Sequence, residues 1–139
     1  MNIRRYILAI ILIRWIKLDL PPKRIHLLYV PKRYSRASQQ IPLSVVSFNE
    51  KQYLVGLEST RQWVQNIRVA KQIVLQRGRR SFSFRPVEID NVKTAISVLR
   101  LYLEQEPYTR KFLKFTSTSN DNAIAGHWRQ HPVFELLPP

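Results

Sequence analysis

Apolar residues run unbroken from Tyr6 to Ile13 and resume at Trp15 and Ile16. That pattern predicts a helix over residues 3–18 that is apolar nearly all round. Asp19-Leu20-Pro21-Pro22 stops it, because a proline disfavours helix at the residue before it. Residues 25–31, closed by Pro31, read as a buried strand, and the β-rich stretch 41–48 as a second. Asn49-Glu50 predicts a hairpin turn into a third strand, 52–57. Ser59-Thr60 then offers a helix N-cap, after which Trp63, Val64, Ile67 and Ala70 share one helical face. Strands are predicted over 72–76 and 81–89, about an Arg77-Gly78 turn. Val92, Ala95, Ile96, Leu99, Tyr102 and Leu103 recur at the spacing of an amphipathic helix, capped by Asp90 or Asn91. Pro107 breaks that helix, and the pattern predicts a short basic helix over 108–115 and a polar loop over 117–126. A last strand covers 131–137, with Pro132 at its first residue or on an edge. Six strands with hairpin connections predict an α+β, mainly β fold: a mostly antiparallel sheet curled into a barrel, helices outside. The expected division is an N-terminal apolar and basic helix, residues 1–20, and a barrel domain, residues 21–139.

The chain has 139 residues, 45% of them hydrophobic, which is enough for a real core and excludes disorder despite a net charge of +14. The charge is unevenly placed. Up to residue 36 there are nine Lys and Arg against a single acid, Asp19. A field of that sign concentrates anions: nucleic acid, acidic lipid headgroups or a phosphorylated small molecule. The first helix falls short of the roughly 20 apolar residues of a membrane span. Arg14-Trp15-Ile16-Lys17 follows its apolar run where a secretory signal has small residues, so it reads as an uncleaved helix of a cytoplasmic protein. It either packs against the domain or a partner chain, or lies on a membrane with its basic ends on anionic lipid.

Cysteine is absent, which removes disulfides, thiolate metal sites, iron–sulfur clusters and a Cys nucleophile. His26, His127 and His131 have no metal-binding spacing, so no metal site is expected. With Gly56, Gly78 and Gly126 as the only glycines, neither a P-loop nor a dinucleotide fingerprint can form. No nucleophile elbow is present, and acids are sparse. What remains are anion-binding turns. Lys32 and Arg33 with Ser35 sit in one tight connection, a phosphate grip of two cations and a hydroxyl. Ser59, Thr60 and Arg61 stand at a predicted helix start, where free N–H groups favour an anion. Phe82 and Phe84, with Arg79, Arg80 and Arg85, could stack a single strand, but their alternation fits a core-facing row better.

From Leu27 to Leu137 the chain resembles the deazaflavin-dependent nitroreductase family, small split β-barrels related to flavin-nucleotide-binding oxidoreductases. The resemblance is carried by Lys32-Arg33-Tyr34-Ser35 with Ile41-Pro42-Leu43, by Tyr53-Leu54-Val55 with the stretch from Arg61 to Ala70, by Arg77-Gly78-Arg79-Arg80 through Ile89, and by His131-Pro132-Val133-Phe134. It implies an 8-hydroxy-5-deazaflavin coenzyme that delivers a hydride to a quinone, nitro compound or activated alkene. By the same resemblance Lys32, Arg33 and Ser35 hold the phosphate and Pro42 lies near the ring, while Ser59, Arg61, Trp63 and Asn66 line or support the cleft. Tyr108 is the candidate proton donor, ahead of Tyr102, which belongs to the apolar stripe. Arg36 stands where the family has Gly, and Gln39 where it has a phosphate-gripping Arg. FMN, or no cofactor, is therefore the alternative. The rival functions are a nucleic-acid-binding barrel and a cofactor-free, membrane-associated interaction protein of the same fold. The expected partners of the enzyme are a small-molecule electron acceptor, a second copy in a homodimer, and a membrane touched through residues 3–18.

Overall fold

A computed structural model describes residues 3–32 and 37–139. Its helices are α1 (Ile3–Lys17), α2 (Gln62–Val69), α3 (Val92–Gln105) and α4 (Asp121–Ala125). Its strands are β1 (Ile25–Pro31), β2 (Ser38–Ser44), β3 (Val46–Phe48), β4 (Lys51–Val55), β5 (Ile73–Arg77), β6 (Arg80–Glu88) and β7 (Val133–Leu137). Two 3-10 turns, Pro107–Phe112 and Trp128–Gln130, complete the described residues.

The strands form one antiparallel sheet in the order β2-β1-β5-β6-β7-β4-β3. Seven strands replace the expected six because the stretch 41–48 is not continuous. It breaks at Val45, whose N–H makes the last bond in register with β1, to the Arg24 carbonyl at 2.9 Å, before the chain turns to pair with β4 instead. That one residue joins β2 and β3, which are the opposite edges of the sheet. A sheet whose two edges are a single residue apart in the chain has to curl, and the result is an α+β half-barrel of the split-barrel type. The predicted turn at Asn49-Glu50 forms with both residues at positive φ, 55° and 64°, the primed geometry that matches strand twist.

Alternation along the strands separates two cores. Leu54 and Phe134, paired across β4 and β7, face inward and join Leu28, Leu75, Trp63 and Ile67. Tyr53, Val55 and Val133 face the other way and are covered by Ala95, Leu99, Tyr102 and Leu103 of α3. Three local expectations are corrected. The basic segment after Pro107 is a 3-10 turn over Pro107–Phe112 rather than an α-helix. The polar stretch 117–126 is not all loop: the Asn120 side chain accepts from the Ala123 N–H at 2.8 Å and starts α4. Finally, α2 begins at Arg61 without any side-chain cap, so neither Ser59 nor Thr60 serves as its N-cap.

The end of α1 is tied down. Gly78, at φ 59° in the β5–β6 turn, donates its N–H to the Ile16 carbonyl at 3.0 Å, and a Cβ there would meet Asp19 Cβ at 2.9 Å. The buried Arg77 guanidinium donates to the carbonyls of Leu20 and Ile25 and pairs with Asp19 at 3.0 Å. Beyond Ile16, α1 contributes little to the core. Ile3, Ile7, Leu8, Ile11, Trp15 and Leu18 are all exposed. Among the described residues no helix is long and apolar enough to cross a membrane.

Candidate functional site

A cleft of about 210 Å³ opens between β2, the approach to α2, and the 3-10 turn after α3. Ile41, Pro42, Leu43 and Ser44 of β2 form one wall, Leu57, Arg61 and Trp63 another, and Tyr102, Tyr108 and Thr109 the third. Leu12 of α1 and Ile25 of β1 reach its edge. The walls are mostly apolar, with a few converging polar atoms, the usual make-up of a site for a small organic molecule.

Each wall has a local cause. Trp63 is 6% exposed because the inner face of α2 lays it on Phe134, ring centroids 6.3 Å apart and tilted by 55°. One turn further on, Asn66 is 1% exposed, and its Nδ2 donates to Gln39 Oε1 at 3.1 Å, linking α2 to the outer end of β2. Arg61 pairs with Glu58 at 3.6 Å and lies 5.8 Å from the Phe112 ring centroid, so its charge is partly answered already. Gln65 Nε2 donates to the Ser59 carbonyl at 2.6 Å, which anchors the chain entering α2.

The β4–α2 connection is also held from behind. Gly56 N–H donates to the Pro132 carbonyl at 2.7 Å, and His131 Nδ1 donates to the Leu57 carbonyl at 2.6 Å. Burial, above all, lowers the His131 pKa from its ordinary value. The unfolded chain then binds a proton that the folded imidazole resists, so stability is complete above about pH 6.5 and declines as the pH falls below it. Burial shifts His26 in the same direction. The urea midpoint is therefore expected to drop between about pH 7.5 and about pH 5.5, and His131→Asn to remove part of that slope. A midpoint that stayed flat or rose on acidification would overturn this.

Behind the third wall lies a carboxylate that sequence reasoning passed over. Glu106 is 2% exposed, and Arg24 Nε donates to its Oε1 at 2.5 Å. Thr109 Oγ1 donates to the Glu106 carbonyl at 2.7 Å, shaping the turn that presents Tyr108 and Thr109. Burial raises the Tyr102 phenol most, with help from Tyr108 and Glu106. Desolvation and then the Glu106 charge raise Tyr108 as well. Both phenols therefore stay protonated through the neutral range. The Tyr108 side is open, since that residue is 69% exposed.

Of the ten expected site residues, Pro42, Arg61, Trp63 and Tyr108 meet in this cleft. Gln39 and Asn66 meet each other beside it. Ser59 engages through its backbone and does not line the cleft. Lys32 is exposed, its N–H donating to the Ala37 carbonyl at 3.0 Å. Arg33 and Ser35 lie outside the described residues.

No protein-family model matches the sequence, and no curated protein matches it. Solved structures do. An F420-H2 dependent reductase, FDR-A, superposes with a TM-score of 0.59 at 18% identity, covering 82% of this chain and 94% of that one. A structure described as a domain-swapped dimer gives 0.61 at 18% identity, covering 96% of each chain. The protein Atu2129 of unknown function from Agrobacterium tumefaciens gives 0.59 at 10% identity over 81% of this chain; the chain spans about half, 47%, of its length. At these identities the likeness is one of fold.

Proposed function

We propose that the protein is a split-barrel oxidoreductase that binds a deazaflavin coenzyme, or FMN in its place, with the ring in the cleft of Pro42, Trp63 and Tyr108. The observation that carries this reading is the convergence of Pro42, Arg61, Trp63 and Tyr108, from three separate stretches of the chain, on one apolar cleft. A fold shared with an F420-H2 dependent reductase supports it.

The residues fit such a group in part. A cleft of about 210 Å³ lies below the roughly 300–1,000 Å³ of pockets that enclose a whole drug-sized ligand, so it suits a ring system whose tail runs outside. The course of β2 leads from Pro42 to Gln39 and, across its pairing with β1, toward Lys32, a cation that would meet a phosphate on such a tail. Bound there, the reduced coenzyme supplies a hydride to an electrophilic acceptor such as a quinone, a nitro compound or an activated alkene.

The chain's own tasks are binding, orientation and exclusion of water. Trp63, Pro42 and Leu57 offer flat apolar contact and exclude water from the ring. Asn66 and Gln39, bonded to each other, fix the spacing of α2 and β2 across that contact. Tyr108 holds a proton at its Oη at neutral pH and stands at the rim, where a reduced acceptor would take it up.

Titrating the purified protein with oxidised deazaflavin coenzyme, and in parallel with FMN, tests the reading by fluorescence. Saturable binding at micromolar concentration is expected for one of them, weakened about tenfold by Lys32→Ala through loss of a charged phosphate contact. Absence of binding by both would overturn it.

A further inference from the structure

A second cleft, of about 650 Å³, lies where the end of α1 meets the β5–β6 turn. It is separate from the first. Side chains alternate along β1, so His26, on this cleft, and Ile25, on the other, point to opposite faces of the strand. Lys32 lies beyond the far end of β1, roughly 20 Å away at about 3.3 Å per residue.

Its lining is cationic with one aromatic face. Lys17, Lys23, Arg79 and Arg80 contribute charge, and Phe82 contributes a ring. Asp19 is the acid on this cleft, and it is already engaged by Lys23 at 3.0 Å and Arg77 at 3.0 Å. Among the described residues Lys17, Arg79 and Arg80 form no ion pair. The expectation that Phe82 and Phe84 form one core-facing row holds only for Phe84, which packs on the inner core. Phe82 faces the same way, opposite the buried Leu75, but lies two residues nearer the turn and is 53% exposed. His26 donates Nδ1–H to the Arg24 carbonyl at 3.2 Å, and the neutral ring keeps an acceptor lone pair at Nε2.

Unanswered guanidinium groups, an uncovered aromatic face and an imidazole acceptor are the components that hold a phosphate and a planar base together. We propose that this cleft binds a nucleotide unit, its base stacked on Phe82 and its phosphate held by Arg79, Arg80 and Lys17. The unit has two sources, a free mononucleotide or one residue of a single-stranded nucleic acid. The proposal is independent of the oxidoreductase reading, since none of these residues belongs to the first cleft.

Fluorescence anisotropy of a fluorescein-labelled oligothymidylate, with unlabelled AMP and inorganic phosphate as competitors, tests it on the intact chain. Arg79→Ala with Arg80→Ala is expected to weaken binding about tenfold or more, and to reduce the salt slope by about one to one and a half. Phe82→Ala, at an exposed position that should not disturb folding, is expected to weaken binding about tenfold through lost stacking. Lys71→Ala with Lys93→Ala, an equal loss of charge elsewhere, is expected to cost less than about threefold. Displacement of the label by AMP identifies the mononucleotide as the source. Retention of the label against AMP, with the variants still weakening it, identifies the single strand. The proposal is overturned by no binding, by an unchanged Phe82→Ala affinity, by phosphate competing as well as AMP, or by an equal loss in the Lys71 and Lys93 control.

Discussion

Arg24→Ala is expected to lower stability by about 3 kcal/mol, the low end of the cost of breaking a buried ion pair. The reason is asymmetric burial. The Arg24 side chain is 39% exposed and rehydrates easily, whereas that of Glu106 is 3% exposed and does not. Removing the arginine leaves a carboxylate facing protein instead of water, and that desolvation dominates the loss. The low end applies because solvent screens the Arg24 side of the pair. Against a total stability of about 5–15 kcal/mol, such a loss is large. Glu106→Gln in the same background removes the stranded charge and should recover a substantial part of it. Urea unfolding of the two variants decides the matter. An Arg24→Ala midpoint unchanged from wild type, or no recovery in the double variant, would show that Glu106 finds water or another partner. Because Arg24 also donates to the Gln105 carbonyl at 3.2 Å, just before the turn bearing Tyr108, the single variant should also loosen the third wall of the cleft.

Trp63→Ala should cost more still, about 3–5 kcal/mol, since a large buried side chain is replaced by a cavity that its neighbours only partly fill. Trp63 touches Phe134 within the inner core and at the same time forms a wall of the cleft, so its loss acts on both. Trp63→Phe separates the two roles. It keeps most of the volume and should cost less than about 1.5 kcal/mol, yet it shortens the flat surface offered to a ring. Thermal unfolding reads the first effect and coenzyme fluorescence the second. The fold argument fails if Trp63→Ala unfolds within about 1 kcal/mol of wild type. The binding argument fails if Trp63→Phe and wild type hold the coenzyme equally well.

Much of the architecture was legible because local patterns were strong. The apolar strand around Tyr53-Leu54-Val55, the 3–4 spacing along α3 and the Asn49-Glu50 turn all formed where their patterns placed them. The misreadings share a cause. Nothing local in residues 41–48 marks Val45 as a break, because every residue there is compatible with a strand. The break is set by a change of partner, since residues up to Ser44 pair with β1 and those from Val46 pair with β4. Likewise Ser59 and Thr60 are good capping residues, but the N-cap position falls on Arg61, two residues after the first and one after the second, and no side chain caps α2.

The site divides in the same way. The family resemblance marked Pro42, Arg61 and Trp63 as candidates, and Tyr108 stood out as a phenol beside a proline break. Their convergence on one cleft needed the curl of the sheet, which brings β2 alongside α2 and the turn after α3. Glu106 was unreadable, because an acid next to a proline is ordinarily solvated and only the packing of Arg24 across 82 residues of chain makes it buried. Phe82 erred in the opposite direction: its face was read correctly, its depth was not. Periodicity along a chain reports which way a side chain points, because that is fixed by backbone geometry within a few residues. How far the core extends beneath it, and which charge lies opposite, depends on contacts between distant segments, and here only the tertiary structure decided those.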